Sequence, residues 1–151
     1  MGEGTDNALI PEKSLGYASR MTHRAFARSL QRRLAKHGVP IGQWHFLRIL
    51  WLRDGLTQKD LSDELGIMGP TAVVALRAME KNGLINRIRN EDDRRKVNIF
   101  LTDKGRALKD DLTPYVDEIN QIASQGIPNE DLEAYKRVST KFRENLAEYD
   151  R

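Results

Sequence analysis

Apolar residues recur along this chain with two periods, helical through most of it and alternating in one short region. From Ser14 to His37 only Gly16 interrupts a helical pattern. Leu15, Ala18, Thr22, Ala25 and Ser29 fall on one side, with Met21, Phe26, Leu30 and Leu34 beside them. "HGVP" stops it, because glycine ends helices and proline restricts the residue before it. A second helix is expected over residues 41–53, with Trp44, Leu47, Leu50 and Trp51 as its apolar face. "DGLT" breaks the chain, and Thr57 with Asp60 three residues on makes an approximate capping box for a helix over 58–65. "GIMGP" reads as a tight turn. Pro70 suits the first turn of the next helix, about 70–82, and Gly83 its end. Leu84–Arg89 and Val97–Leu101 alternate as strands. Thr102 caps a helix from Asp103 to about Gln125, "GIPNED" breaks it, and a last helix runs from Glu130 to about Glu148. Residues 1–12 read as a loose lead-in. The middle of the chain is thus a helix-turn-helix followed by a hairpin.

Charge changes this picture in one respect. The formal net charge is only +3, but it is unevenly placed. Lys13 to Arg53 holds nine Lys/Arg and no acid, Arg77 to Lys96 seven bases against four acids, and Thr102 to Arg151 eleven acids against eight bases. Two basic regions and an acidic C-terminal segment point to a polyanionic partner for part of the surface. The alternative for the first region is pairing with the acidic segment. The 151 residues suit one domain with a real core. Apolar runs are too short to span a bilayer, and the N-terminus lacks a signal pattern, so a cytoplasmic protein without a membrane partner is expected. Cysteine is absent, which removes disulfides and thiolate chemistry. His23, His37 and His45 lack metal-site spacing. No cofactor is expected.

Within "LTQKDLSDELGIMGPTAVVALRAMEKNGLINR", Ala72, Ala75, Leu76 and Met79 form a buried stripe. Pro70, Val73, Val74, Arg77 and Lys81 then face the other way. Two outward valines fit a helix that enters a major groove, where apolar side chains meet thymine methyls. A second core stripe is the other reading. In "RIRNEDDRRKVNIFLT" seven charged or polar residues, Asn90 to Lys96, separate the two strands. Beside a helix in the major groove, such a tip reaches the adjacent minor groove, where arginine is favoured. Asp93 can hold Arg89 or Arg95 in a bidentate pair and fix its direction before DNA arrives.

"LTQKDLSDELGI", "MEKNGLINR" and "DDRRKVNIFLTDKG" together resemble the MarR family of transcriptional regulators, over about residues 15–148. The resemblance implies a mainly α fold with a small two- or three-stranded β-wing: a winged helix-turn-helix at 41–101 with flanking dimerisation helices at 14–37 and 103–148. It implies a homodimer that binds a pseudo-palindromic operator in double-stranded DNA, usually as a repressor. The DNA-contact candidates are Gln58, Pro70, Thr71, Val73, Val74, Arg77 and Lys81 on the reading helices, and Arg89, Asp93, Arg94 and Arg95 on the wing. Where family members often carry Ser, then Thr and Arg, this chain has Met68, Val73 and Val74, so hydrogen-bond readout should be poorer.

The family often senses small phenolic or aromatic acids. Met21, Arg24, Trp44, His45 and Arg48 are the candidate ligand residues: Trp44 as an aromatic wall, Arg48 or Arg24 as a carboxylate clamp. The bland alternative makes Trp44 core and Arg48 a surface charge. Arg20, Arg24, Arg28 and Arg32 recur every four residues and repel one another, so an anion should offset them, either Glu144 and Glu148 or a ligand. No phosphate loop, nucleophile motif or metal cluster points to an enzyme. The remaining rivals are a winged-helix protein-interaction module that never touches DNA and a repressor that ignores ligands.

Overall fold

The computed structural model describes residues 9–151, so most of the expected lead-in lies outside the described residues. Pro11–Lys13 at its end forms a 3-10 turn rather than loose chain. The elements are α1 (Leu15–Leu34), α2 (Ile41–Leu52), α3 (Gln58–Leu65), α4 (Gly69–Lys81), β1 (Ile85–Arg89), β2 (Val97–Leu101), α5 (Asp103–Ser124) and α6 (Asn129–Tyr149). Packing divides the chain into two compact units, up to Val116 and from Asp117 on.

In the first unit, α1 starts where the Ser14 side chain accepts from the Tyr17 amide. It gives way at Leu34 to a 3-10 turn, Ala35–His37, so its α-helical part is shorter than the apolar pattern alone implies. α2 is the central helix, touching α1, α3, α4 and β2. That is why Phe46 and Ile49 are buried along with Trp44, Leu47 and Leu50. The expected single face is too narrow, since a helix enclosed by neighbours is apolar on more than one side. Trp51 is less buried, and its Nε1 donates to the Gly105 carbonyl. Leu34, Leu61, Leu76, Met79, Ile85 and Ile99 complete the core around α2. Each is worth roughly 1.5–3 kcal/mol of burial before chain entropy is counted.

The capping box of α3 forms in full. The Asp60 amide donates to Thr57 Oγ1 at 3.0 Å, and the Thr57 amide donates to Asp60 Oδ2 at 3.2 Å. Hydrogen bonding to the carboxyl from the Thr57 side chain, and then from its amide, holds Asp60 below the usual carboxylate range. The acid's contribution is therefore present at neutral pH and lost as pH falls through that depressed value. Thr57→Ala is expected to lower stability by about 1 kcal/mol, read as a shift in the urea midpoint with unchanged slope.

Met68 is the N-cap of α4 and Pro70 lies in its first turn. Gly83 follows the helix at φ 73°, the left-handed conformation that glycine adopts at little cost. β1 and β2 are antiparallel, with Ile85 opposite Leu101, Arg87 opposite Ile99 and Arg89 opposite Val97. Leu84 precedes β1 rather than opening it. A third segment lies along the far side of β2. The Gly55 amide donates to the Ile99 carbonyl at 2.9 Å, the Ile99 amide donates to the Leu56 carbonyl at 2.8 Å, and Thr57 bridges Asn98. The sheet is two-stranded, with this bridge in the place of a third strand.

Thr102 opens α5. Its Oγ1 accepts from the Gly105 amide at 3.1 Å and donates to the Gly83 carbonyl at 2.6 Å. In the second unit α6 carries the ion pairs Lys136–Glu133 and Lys141–Glu144 on its surface.

Candidate nucleic-acid interface

α3 and α4 are joined by a turn whose geometry is set by Ser62. Its Oγ donates to the Ile67 carbonyl at 3.1 Å, and its carbonyl accepts the Ile67 amide, also at 3.1 Å. α4 then buries Ala72, Leu76 and Met79, with Ala75 beside them. At 3.6 residues per turn, Pro70, Val73, Val74, Arg77 and Lys81 fall on the opposite side, with Thr71 at its margin. All but Val73 are exposed, and Val73 is half-buried. Val74 is 70% exposed and Met68, at the head of the helix, 77%. Val74 is therefore not part of a second core stripe within this chain, whereas half-buried Val73 is only partly outward.

The wing tip is an ordered turn. The Asn90 amide donates to the Lys96 carbonyl and the Lys96 amide to the Asp93 carbonyl, both at 2.9 Å. Asp93 takes Arg95 as its partner rather than Arg89: Nε donates to Oδ1 at 3.0 Å and a terminal nitrogen to Oδ2 at 3.2 Å. The Arg95 backbone amide also donates to Oδ1. These bonds hold the Asp93 carboxyl below the usual carboxylate range. Arg94 and Arg89 are exposed.

Between α3, the start of α4 and the wing lies a groove of about 690 Å³, lined among others by Gln58, Lys59, Gly69, Arg95 and Lys96. Gln58 is half-buried and accepts from the Arg87 guanidinium at 3.2 Å. Arg87 is not among the residues that the sequence singles out. Its Nε is buried without a hydrogen-bond partner. The other residues missed from sequence are Asn90 and Asn98, whose side chains bond each other across the hairpin. An asparagine inside a strand is a weak signal of such a role, since strands disfavour it.

The candidate ligand residues divide. Met21, Arg24 and Arg48 are exposed, whereas Trp44 is 4% exposed and stands edge-on to Trp51 at 5.5 Å between ring centroids. His45 is half-buried; burial, then His23 and then Arg48, push its imidazole below the usual range. Arg20, Arg24, Arg28 and Arg32 are all exposed, and Glu144 is paired with Lys141. Among the described residues no cluster could hold a metal ion, and no helix is long and apolar enough to cross a membrane.

The MarR family profile matches residues 39–97, which run from the start of α2 into β2. The organic hydroperoxide resistance transcriptional regulator of Bacillus subtilis is 30% identical over 135 residues, 89% of this chain and 90% of that one. The HTH-type transcriptional regulator TtmR of Methylorubrum extorquens is 35% identical over 106 residues, 70% of this chain and 54% of that one, so the chain spans about half of that relative's length. Among solved structures, the S. aureus MepR–DNA complex superposes with a TM-score of 0.81 at 30% identity, covering 87% of this chain and 98% of that one. With the helix-turn-helix and wing in place between its flanking helices, the chain belongs to the MarR family of DNA-binding transcriptional regulators.

Proposed function

We propose that the protein is a homodimeric repressor that binds a pseudo-palindromic operator and is released by a small aromatic carboxylate or phenolic ligand. The observation that carries the DNA reading is the wing tip, where an acid holds one arginine in a bidentate pair beside an exposed recognition face. Pro70, Thr71, Val74, Arg77 and Lys81 would face the major groove, with Val73 at the edge. Arg94 and Arg95 would enter the adjacent minor groove, with Arg89 behind them on a flanking phosphate. Gln58, held by Arg87, would lie at the phosphate backbone.

The dimer is supported by apolar side chains left open on the flanking helices. Leu15, Tyr17, Met21 and Phe26 of α1 are exposed, as are Tyr135, Val138, Leu146 and Tyr149 of α6. Burying such faces against a second copy removes them from water. Selection of duplexes from a random pool tests both points. A two-fold palindrome with half-sites about one duplex turn apart, roughly 34 Å, is the expected product. No enrichment, or sedimentation as a single chain at micromolar concentration, would overturn the operator reading or the dimer respectively. Steep loss of binding with salt separates a DNA reader from a protein-interaction module.

The ligand reading is supported by exposed Arg48, whose charge acts on the half-buried His45, and by Arg24, an exposed cation on α1. Trp44 offers an incoming ring little surface unless α1 and α2 part. A tenfold release requires about 1.4 kcal/mol of coupling. A panel of benzoates and hydroxycinnamates is expected to contain a compound that lowers operator affinity, with Arg48→Ala or Arg24→Ala blunting the response. An unchanged affinity across the panel favours the ligand-independent repressor.

A further inference from the structure

Asn98 is the second residue of β2, between Val97 and Ile99, which suit a strand as asparagine does not. Both ends of its amide are used. Nδ2 donates to the Gly55 carbonyl at 2.9 Å, and Oδ1 accepts from Nδ2 of Asn90 at 2.9 Å. Asn90 Oδ1 in turn accepts the backbone amides of Asp92 at 2.9 Å and Asp93 at 3.0 Å. The Asp93 carboxylate then takes the Arg95 guanidinium. A continuous chain of bonds therefore runs from the backbone just before α3 to the arginine at the wing tip.

We infer that Asn98 is a positioning residue for DNA binding, which ties the wing tip to the helix-turn-helix so that the Arg95 guanidinium is already aimed when the duplex arrives. The inference rests on the reading above that the wing arginines contact DNA. Its physical basis is that a carboxamide carries a donor and an acceptor in one planar, uncharged group. A valine or leucine would satisfy the strand and leave both neighbours unbridged. A tip ordered in advance loses less freedom on binding, and the gain appears as affinity.

The test uses the full chain and a duplex that the wild type selects from a random pool. Asn98→Val is expected to melt no lower than wild type by more than a few degrees, yet to bind about fivefold to tenfold more weakly. In an Arg95→Ala background the same substitution is expected to cost less than about twofold, because it acts through the arginine already removed. Asn98→Thr, which suits a strand and cannot span from Gly55 to Asn90, repeats the comparison if the valine variant does not fold. Equal losses in both backgrounds, or no loss in either, overturn the role. Arg95→Ala binding as wild type overturns this role, and silent Arg94→Ala and Arg95→Ala together overturn the wing reading itself. A wild-type chain that selects no duplex overturns the operator reading as well. A variant at position 98 that binds the selected duplex like wild type overturns this role alone.

Discussion

Gly105→Ala is expected to be the most destabilising of the conservative substitutions in this chain. A Cβ at this position would lie 2.2 Å from the Leu84 carbonyl oxygen and 3.2 Å from a methyl of Leu101. The first contact is with backbone, which cannot rotate aside. That carbonyl also accepts the Thr102 amide at 3.0 Å, so moving it breaks the bond that seats the start of α5. The Gly105 carbonyl in turn accepts Trp51 Nε1 at 2.9 Å, so displacement of α5 is felt in α2. Overpacking of this kind costs about 1–3 kcal/mol, and the upper end applies where backbone must give way. Gly42→Ala supplies the contrast: a methyl added there would meet nothing within 4 Å, and α2 should gain up to about 1 kcal/mol from the better helix former. Urea denaturation of the two variants should shift the midpoint in opposite directions. A Gly105→Ala protein as stable as wild type would mean that α5 does not close on Leu84 as described.

Operator affinity should fall in Arg94→Ala and Arg95→Ala, by about 1–3 kcal/mol in at least one of them. Asp93→Ala should weaken binding as well, although it deletes a negative charge that faces a polyanion. Simple charge counting predicts the opposite sign. The difference lies in the geometry, since the carboxylate accepts three bonds from Arg95 and fixes where its cation points. Released, the arginine must be ordered during binding, at a cost of about 0.5–1.5 kcal/mol for a long side chain. Because Arg95 holds the acid below its ordinary range, the pairing persists through neutral pH and fails only as pH falls through the depressed value. Titration of operator duplex by anisotropy measures all three variants. Tighter binding by Asp93→Ala would reject its orienting role.

Much of the architecture was legible because it rests on local chemistry. The extent of β2, the Thr57–Asp60 capping box, Pro70 in the first turn of α4 and the left-handed Gly83 all follow from neighbours in the chain. The wing acid could be foreseen to hold an arginine, but not which one. Arg89 and Arg95 are equally plausible until the turn at Asn90 bends Asp93 toward the latter. Contacts between distant residues left no pattern to read. The Gly55–Thr57 segment beside β2 is too short for periodicity, and the Asn90–Asn98 bond pairs two residues common in turns. Trp44 is buried on a helix that touches four other elements, so its apolar character alone could not separate a pocket wall from core.

The pairing of β2 with Gly55 and Leu56 has a consequence for how such a protein can change over generations. Ile99 is bonded to that segment, and the Leu101 amide donates to Asp54, so the base of the hairpin is fastened independently of its tip. Residues at the tip should be exchangeable with little penalty to folding, and, on the proposal that the tip meets DNA, each exchange would alter that contact. Stability and target preference are thereby open to separate drift. Asn98 links base and tip, because its side chain bonds the Gly55 carbonyl on one side and Asn90 on the other, while the backbone bonds of Ile99 and Leu101 hold the base without it.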